Sequence, residues 1–144
     1  MAAVAREHIA GEGWRNVTVV QAPAEHVCIE LTADAALFCA VHDILQSPGA
    51  LRNVMRKLRP DAWVAAGGGK WASPLMVAMN SLVSMLHVPY VRSFSGFDRP
   101  WRHLEQLLDD VNVHEMAFGS GYVMTGRTPA RRRTHTHHQH GGNL

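Results

Sequence analysis

Residues 33–66 read ADAALFCAVHDILQSPGALRNVMRKLRPDAWVAA, and the spacing of their apolar side chains changes twice. Residues 33–41 are almost continuously apolar, which is typical of a strand buried on both faces of a parallel sheet. Ser47 and Pro48 then form an N-cap and first-turn pair, and apolar residues repeat after them at helical spacing. Residues 63–66 have the pattern of a second short buried strand. Strand, helix and strand in this order predict a parallel crossover unit.

The helix of this unit is amphipathic. Its apolar residues are Leu51, Val54, Met55 and Leu58, and its polar residues are Arg52, Asn53, Arg56 and Lys57. One face therefore covers the sheet, and we expect the polar set, Asn53 included, to face solvent.

The segments on either side extend the α/β pattern. The predicted elements are, in chain order, a helix at 2–10, a strand at 16–21, helices opening at Ser73-Pro74 and near Asp98 and Pro100, and strands at 111–118 and 122–125. The β-branched run NVTVVQ favours the first of these strands. Gly119-Ser120-Gly121 is typical of a hairpin turn between the last two. We expect one domain over residues 1–127 and a disordered Arg- and His-rich tail at 128–144.

Composition and charge narrow the function classes. The chain has 144 residues, of which 47% are apolar, enough for one core. Without Arg127 and residues 131–133 there are ten basic against twelve acidic residues, so nucleic-acid binding is not expected. A signal peptide needs an unbroken apolar stretch near the N-terminus, and here Arg6, Glu7 and His8 interrupt it. No apolar run has the length of a membrane span. We therefore expect a cytoplasmic location and no membrane association.

Cysteine and histidine are the remaining residue types in this sequence that could carry catalytic or metal-binding chemistry. Cys28 and Cys39 lie in or beside apolar segments without a C-x-x-C partner, so we expect reduced, buried and non-catalytic thiols. The tail histidines are His135, His137, His138 and His140. Such a tract binds Zn²⁺ or Ni²⁺ only weakly when no ordered scaffold supports it, and we expect no metal site.

Several of these stretches together resemble the class I S-adenosylmethionine-dependent methyltransferases. Residues 16–25, NVTVVQAPAE, resemble the third strand of that family and the turn after it, and residues 33–45 resemble the fourth strand and its loop. Residues 50–68 resemble the next helix, its Leu-Arg-Pro turn and the fifth strand, and residues 119–126 resemble the closing hairpin. The order and spacing of these motifs carry the resemblance, which covers residues 3–127.

The resemblance implies an α/β fold: a partial Rossmann-like class I methyltransferase sheet of parallel strands with a C-terminal antiparallel hairpin at the sheet edge. A family member begins with a strand ending in a Gly-x-Gly-x-Gly loop, followed by a helix and a second strand that ends in an acidic residue. These are absent before the segment at 2–10. We therefore expect an N-terminally truncated domain that lacks the first two strands and exposes a sheet edge beside residues 37–41.

The resemblance also implies S-adenosylmethionine as cofactor and a set of site residues. The resemblance assigns Gln21 and Ala22 to binding the adenine end of this methyl donor. It assigns Phe38, Cys39 and Ala40 to contacts along the rest of the donor. Gln21 stands where the family commonly has an acid, and its carbonyl oxygen can accept the same hydrogen bond. His42 is implied near the methyl acceptor, where it either acts as a catalytic base or shapes the pocket. Helix capping or loop packing is the alternative role of His42.

Gly67-Gly68-Gly69-Lys70 has the composition of a phosphate-binding loop but not its spacing. The sequence lacks G-x-x-x-x-G-K-[ST], and Trp71 stands at the Ser/Thr position. We expect a flexible loop at the carboxyl end of a strand, where α/β proteins build their sites. Lys70 and Trp71 are then candidates for substrate binding, and packing is the alternative for Trp71.

Three classes of function follow. The first is a methyltransferase that acts on an unknown small molecule, inactive alone if the glycine-rich donor loop is required. The second is a non-catalytic remnant or interaction module, completed by a second copy or by a separately encoded N-terminal half. A third is metal or polyanion binding by the tail.

Overall fold

The computed structural model describes residues 1–130. The described helices are α1 (Ala2–Gly11), α2 (His42–Leu45), α3 (Pro48–Met55), α4 (Val77–His87) and α5 (Arg102–Glu105). The strands are β1 (Ala33–Cys39), β2 (Leu58–Gly69), β3 (Asp109–Met116) and β4 (Gly121–Arg127), with a 3₁₀ turn at Ala117–Gly119. In this part of the chain no helix combines the length and apolar character needed to cross a membrane.

The four strands form one sheet in the order β1-β2-β4-β3. β1 and β2 are parallel, and β4 is antiparallel to both β2 and β3. The predicted α/β fold, with a parallel crossover and a closing antiparallel hairpin, is therefore confirmed. The hairpin lies at one edge of the sheet, where β4 pairs with β2 and β3 forms the outer strand.

One face of the sheet carries the core. Phe38, Val64, Tyr122 and Met124 project from it in alternation with outward-facing neighbours. The helices cover them with Leu45, Leu51, Trp101, Leu104 and Leu108. The Ser47 hydroxyl caps α3 by accepting from Ala50 N–H, and Pro48 occupies the first turn, as the sequence predicts. Each large apolar side chain buried here contributes about 1.5–3 kcal/mol.

The opposite face of the sheet has no such cover. Leu37 is 74% exposed, and Trp63 and Val123 on the neighbouring strands are also exposed. The prediction that residues 33–41 are buried on both faces is therefore wrong, because within residues 1–130 no helix packs on this side and α1 has no buried residue. The expected open edge is present, since β1 is the first strand of the sheet.

The exposure of the two cysteines differs from the prediction. Cys28 and Cys39 are free thiols, as predicted, but both are exposed. Cys39 points away from the core because it neighbours Phe38, and successive side chains of a strand alternate between faces. The expectation of buried thiols is therefore wrong.

Residues 16–21 are irregular, so the strand predicted there is wrong. A β-branched run forms a strand only beside a partner, and none of the described strands pairs with it. The following segment is held by Asn53, whose Nδ2 donates to the carbonyls of Ala24 and Val27, each at 2.9 Å. Asn53 is buried for this reason, rather than facing solvent as its polarity suggested.

The later elements begin or end at residues other than those predicted. α4 begins at Val77 rather than at Ser73, because the Asn80 side chain accepts from Ala72 N–H and holds the preceding residues in a turn. Thr128, the first residue of the predicted tail, is buried, and its hydroxyl donates to Arg59 O at 2.6 Å. Residues 131–144 of the predicted tail, which include its histidines and Arg131–Arg133, lie outside the described residues.

Candidate functional site

A cleft of about 770 Å³ opens at the carboxyl ends of the two parallel strands. Its floor consists of residues 39–44, from the last residue of β1 into α2, and of the glycines at 67–69 of β2. The end of α4, the loop after it and Tyr122 of β4 complete the walls. Ligand sites of α/β sheets form at this edge, because the chain leaves neighbouring strands there in loops.

The turn after β1 brings the chain across this edge. Ala40 has φ of 52°, and its N–H donates to Gly67 O at 2.8 Å. This left-handed conformation is strained for a residue with a Cβ. It ends β1 and starts α2, whose first residue is His42.

His42 is 9% exposed and borders the cleft. Its Nε2 lies 3.1 Å from the Ser95 carbonyl, and since a carbonyl only accepts, Nε2 carries the hydrogen. Nδ1 is buried and has no hydrogen-bond partner among the described residues. The ring also contacts Phe97 edge-on, with centroids 4.9 Å apart. His42 thus fastens the loop that contains Ser95 to α2.

The three glycines continue β2 rather than forming the predicted flexible loop. Gly67 pairs with Val123 and Gly69 with Gly121, so the ladder with β4 fixes their backbone. A Cβ on Gly68 would lie 3.6 Å from Ala40 Cα, and one on Gly69 would lie 2.4 Å from His87 Nε2. Because these residues have no side chains, Ala40 and His87 can lie close to the backbone of the strand.

Sequence reasoning missed His87. Its Nδ1 lies 2.8 Å from the Val83 carbonyl, so Nδ1 carries the hydrogen and the neutral ring presents the Nε2 lone pair. Its ring centroid is 5.3 Å from that of Phe97. The sequence held one weak signal, a histidine ending an apolar helix, but only the tertiary fold brings it to Gly69.

Tyr122 and Phe97 are buried side chains of the cleft wall. Burial raises the pKa of the Tyr122 phenol to about 12. Its ring packs against Trp101 with centroids 4.7 Å apart. The phenol is therefore neutral under ordinary conditions.

The structure places some of the predicted site residues elsewhere. Gln21 and Ala22 are exposed in the irregular segment and do not border the cleft. Phe38, 5% exposed, projects into the core instead of along the cleft. Of the predicted set, Cys39, Ala40 and His42 do come together at the cleft.

The two predicted substrate-binding residues also lie outside it. The Lys70 ammonium is buried and lies 3.1 Å from the Glu115 carboxylate, and it donates to Trp71 O and Gly119 O. Those three partners hold it away from any substrate in the cleft. Trp71 packs against Phe94 and Phe97 and borders a separate shallow groove. Packing, the alternative role of Trp71, agrees with this position.

Residues 1–130 contain no cluster of three or more His, Cys, Asp or Glu side chains that could hold an ion.

The strand order and the cleft at the carboxyl ends of β1 and β2 define the fold as that of part of a class I methyltransferase domain. A scan against protein-family models and a search of curated proteins both find no match.

Among solved structures, the chain is similar to the N-methyltransferase NodS from Bradyrhizobium japonicum WM9, with a TM-score of 0.56 and 14% identity over 88% of this chain and 68% of that one. The NodS complex with S-adenosyl-L-homocysteine gives a TM-score of 0.57 and 14% identity over 88% of this chain and 62% of that one.

Two further structures are similar. A possible exported protein from Bordetella parapertussis has a TM-score of 0.54 and 12% identity, over 90% of this chain and 49% of that one. An S-adenosylmethionine-dependent methyltransferase from Methanosarcina mazei has a TM-score of 0.50 and 14% identity, over 90% of this chain and 78% of that one. At these identities the likeness defines the fold alone.

Proposed function

We propose that the chain is an S-adenosylmethionine-dependent methyltransferase-like protein that acts on a small molecule in the cytoplasm. The observation that carries the proposal is the cleft at the carboxyl ends of β1 and β2, bordered by Cys39, Ala40 and His42. It lies in a fold shared with NodS, which has been solved with S-adenosyl-L-homocysteine.

The cleft fits part of this donor. Its volume of about 770 Å³ falls within the range of about 300–1,000 Å³ typical of small-ligand sites. The bare backbone of Gly67 and Gly68 permits close approach, and the apolar wall suits an adenosine. None of the described residues that border the cleft is a lysine or arginine that could bind the carboxylate of the donor's amino-acid end. We therefore propose that tight donor binding requires completion by another chain, either a second copy or an N-terminal half.

S-adenosylmethionine, when bound, supplies an electrophilic methyl group whose transfer depends on positioning and exclusion of water. Phe97 and Tyr122, both almost fully buried, keep one wall of the cleft dry. The His42–Ser95 hydrogen bond holds the covering loop in place. For Gln21 and Ala22 to serve the adenine end, as the resemblance implies, the irregular segment that contains them would have to approach the cleft.

Calorimetric titration with S-adenosyl-L-homocysteine tests the proposal, and the two exposed cysteines offer a matched pair of variants. Cys39→Trp fills the mouth of the cleft, whereas Cys28→Trp adds the same bulk outside it. We expect binding by the wild type and by Cys28→Trp, and at least a tenfold loss in Cys39→Trp. Equal binding by the two variants would place the donor elsewhere. No binding by the wild type, alone or as an oligomer, would contradict the proposal that the cleft binds the donor.

A second candidate function is an interaction module, which the open edge of β1 and the uncovered face bearing Leu37, Trp63 and Val123 support. Unpaired strand edges and apolar patches of this kind bind other chains. Leu37→Lys should lower self-association, or capture of a complementing chain, in sedimentation experiments without changing the fold. A wild-type chain that stays monomeric at high concentration would count against a second copy as the partner.

A further inference from the structure

We propose that the outer side of α4 binds a second copy of this chain in a twofold-symmetric dimer. α4 buries only Val83, although most of its residues are apolar. No part of residues 1–130 covers its other large apolar side chains or those of the turn after it. These exposed residues, here called the α4 face, are Val77, Leu82, Met85, Leu86, Val88 and Tyr90. The inference goes beyond the proposed function and does not depend on binding of a methyl donor.

Two polar side chains hold α4 against the rest of the fold. The Asn80 side chain accepts from Ala72 N–H, and the His87 ring lies against Gly69 and Phe97. Both contacts are made on the inner side of the helix and leave the outer side unused. The α4 face is therefore an apolar surface on a helix whose position is already fixed.

The α4 face carries no charge. Residues 71–91 contain no Lys, Arg, Asp or Glu, and no other run of this kind in the sequence is as long. In a twofold contact the same patch of both copies meets, so a charged residue near the axis would oppose a like charge. A helix that binds a membrane surface, by contrast, is rich in Lys and Arg on its polar side. The charge pattern therefore favours a second copy over a membrane.

The shape of this helix is self-complementary. Val77, Ser81 and Ser84 are spaced by four and three residues and so share one side of α4. Leu82 and Met85 are exposed on the neighbouring side and form a ridge beside them. In a twofold dimer the ridge of each copy enters the groove of the other. That groove has a volume of about 410 Å³ and is lined by Trp71, Pro74, Val77, Asn80, Ser81 and Ser84.

The available area is enough for a dimer. The exposed parts of the α4 face and of the groove amount to on the order of 700 Å² per copy, against about 800 Å² per partner in stable interfaces of standard size. Leu86 and Tyr90 also border the cleft. A second copy bound here therefore extends one wall of the cleft.

The uncovered face of the sheet suits a different partner. The edge of β1 presents unpaired backbone groups, which an added strand satisfies and a helix does not. The second copy therefore binds at α4, and the edge of β1 stays open for a complementing strand.

Sedimentation equilibrium of the full chain, without any methyl donor, tests the inference. We expect a wild-type dimer with a Kd in the micromolar range. Met85→Glu should weaken the dimer about tenfold or more, because it places two like charges at the contact. Val4→Glu is the matched control, since Val4 is 67% exposed and Met85 is 68% exposed, and it should leave the dimer unchanged. Leu37→Lys, on the uncovered face of the sheet, should also leave it unchanged.

Three results would overturn the inference. The first is a wild-type chain that stays monomeric at several hundred micromolar. The second is a folded Met85→Glu variant that dimerises as tightly as the wild type. The third is a dimer that Leu37→Lys weakens and Met85→Glu does not, because the second copy would then bind at the sheet.

A mixture of isotope-labelled and unlabelled wild-type chain gives a second measurement that needs no variant. Isotope-filtered NOE spectra should show contacts from the Met85 methyl group of one copy to Val77 or Ser81 of the other. Contacts between copies that involve only other segments would contradict the α4 dimer. Binding of a monomeric chain to phosphatidylcholine vesicles, lost in Met85→Glu, would assign the α4 face to a membrane instead. Since no donor is present, failure of the dimer leaves the proposed function standing, and failure to bind S-adenosyl-L-homocysteine leaves the dimer standing.

Discussion

The imidazole of His87 lies against the α-carbon of Gly69, so closely that a Cβ there would come within 2.4 Å of Nε2. The end of α4 thus reaches the floor of the cleft only because β2 has no side chain at this position. The contact joins two segments whose sequences show no sign of meeting.

Gly69→Ala should therefore displace the His87 ring and weaken its hydrogen bond to Val83 O. Overpacking of this kind costs about 1–3 kcal/mol of the free energy of unfolding. Denaturant melting and the imidazole resonances of His87 measure both effects. Gly11→Ala is the control, since its Cβ meets no atom within 4 Å, and it should change stability by less than about 1 kcal/mol. An unshifted His87 resonance in Gly69→Ala would contradict the packing.

Lys70→Met should destabilise the fold by about 1–3 kcal/mol, because Met fills the space but leaves the carbonyls of Trp71 and Gly119 without their donor. Glu115→Gln should cost less than about 1 kcal/mol, since that side chain is 51% exposed and keeps an acceptor oxygen. Urea unfolding of both variants and of the double variant gives the coupling between them. Lys70→Met as stable as the wild type would show that the buried ammonium adds no net stability.

Stability should fall at high pH through Tyr122. The folded protein keeps the phenol proton up to about pH 12, whereas an unfolded tyrosine loses it near pH 10. Between these values the folded state holds more protons, so the free energy of unfolding declines as pH rises, by on the order of 2 kcal/mol in all. Below about pH 9 this group has no effect. Tyr122→Phe should remove this part of the decline, and equal declines in wild type and variant between pH 9 and 11.5 would contradict the assignment.

Ala40→Gly should stabilise the protein. The left-handed conformation at Ala40 costs about 1–2 kcal/mol for a residue with a Cβ, and glycine's extra freedom when unfolded returns about 0.5–1 kcal/mol of that. We expect a net gain of about 0.5–1 kcal/mol in denaturant melts. Ala35→Gly, in β1 with ordinary backbone, should instead lose a similar amount. A loss in both variants would show that the turn is unstrained.

The elements that could be predicted from sequence are those with local signals. Ser47 and Pro48 mark the start of α3 by capping chemistry, and the glycines at 119 and 121 mark the hairpin. The strand at residues 16–21 was wrong because strand propensity needs a partner, which depends on distant residues.

Much of the candidate site depends on which way each side chain faces. Phe38 enters the core while its neighbour Cys39 borders the cleft, and the run ALFCA does not distinguish the two faces. Lys70 appeared to be free for substrate because its partner Glu115 is distant in sequence. His87 could be found only from the fold. The roles of Gln21, Ala22 and His42 in donor or acceptor binding stay predictions.

The interior position of β4 has a consequence for synthesis of the protein. β2 and β3 share no hydrogen bonds, and only β4, whose residues leave the ribosome last among the strands, joins them. A nascent chain that stops before Gly121 can form the β1–β2 crossover but leaves the β4 side of β2 open. Such a chain exposes a long unpaired strand edge to chaperones and to other nascent chains. Folding of the sheet therefore completes only after β4 has left the ribosome, and any premature stop or frameshift before β4 yields an aggregation-prone product.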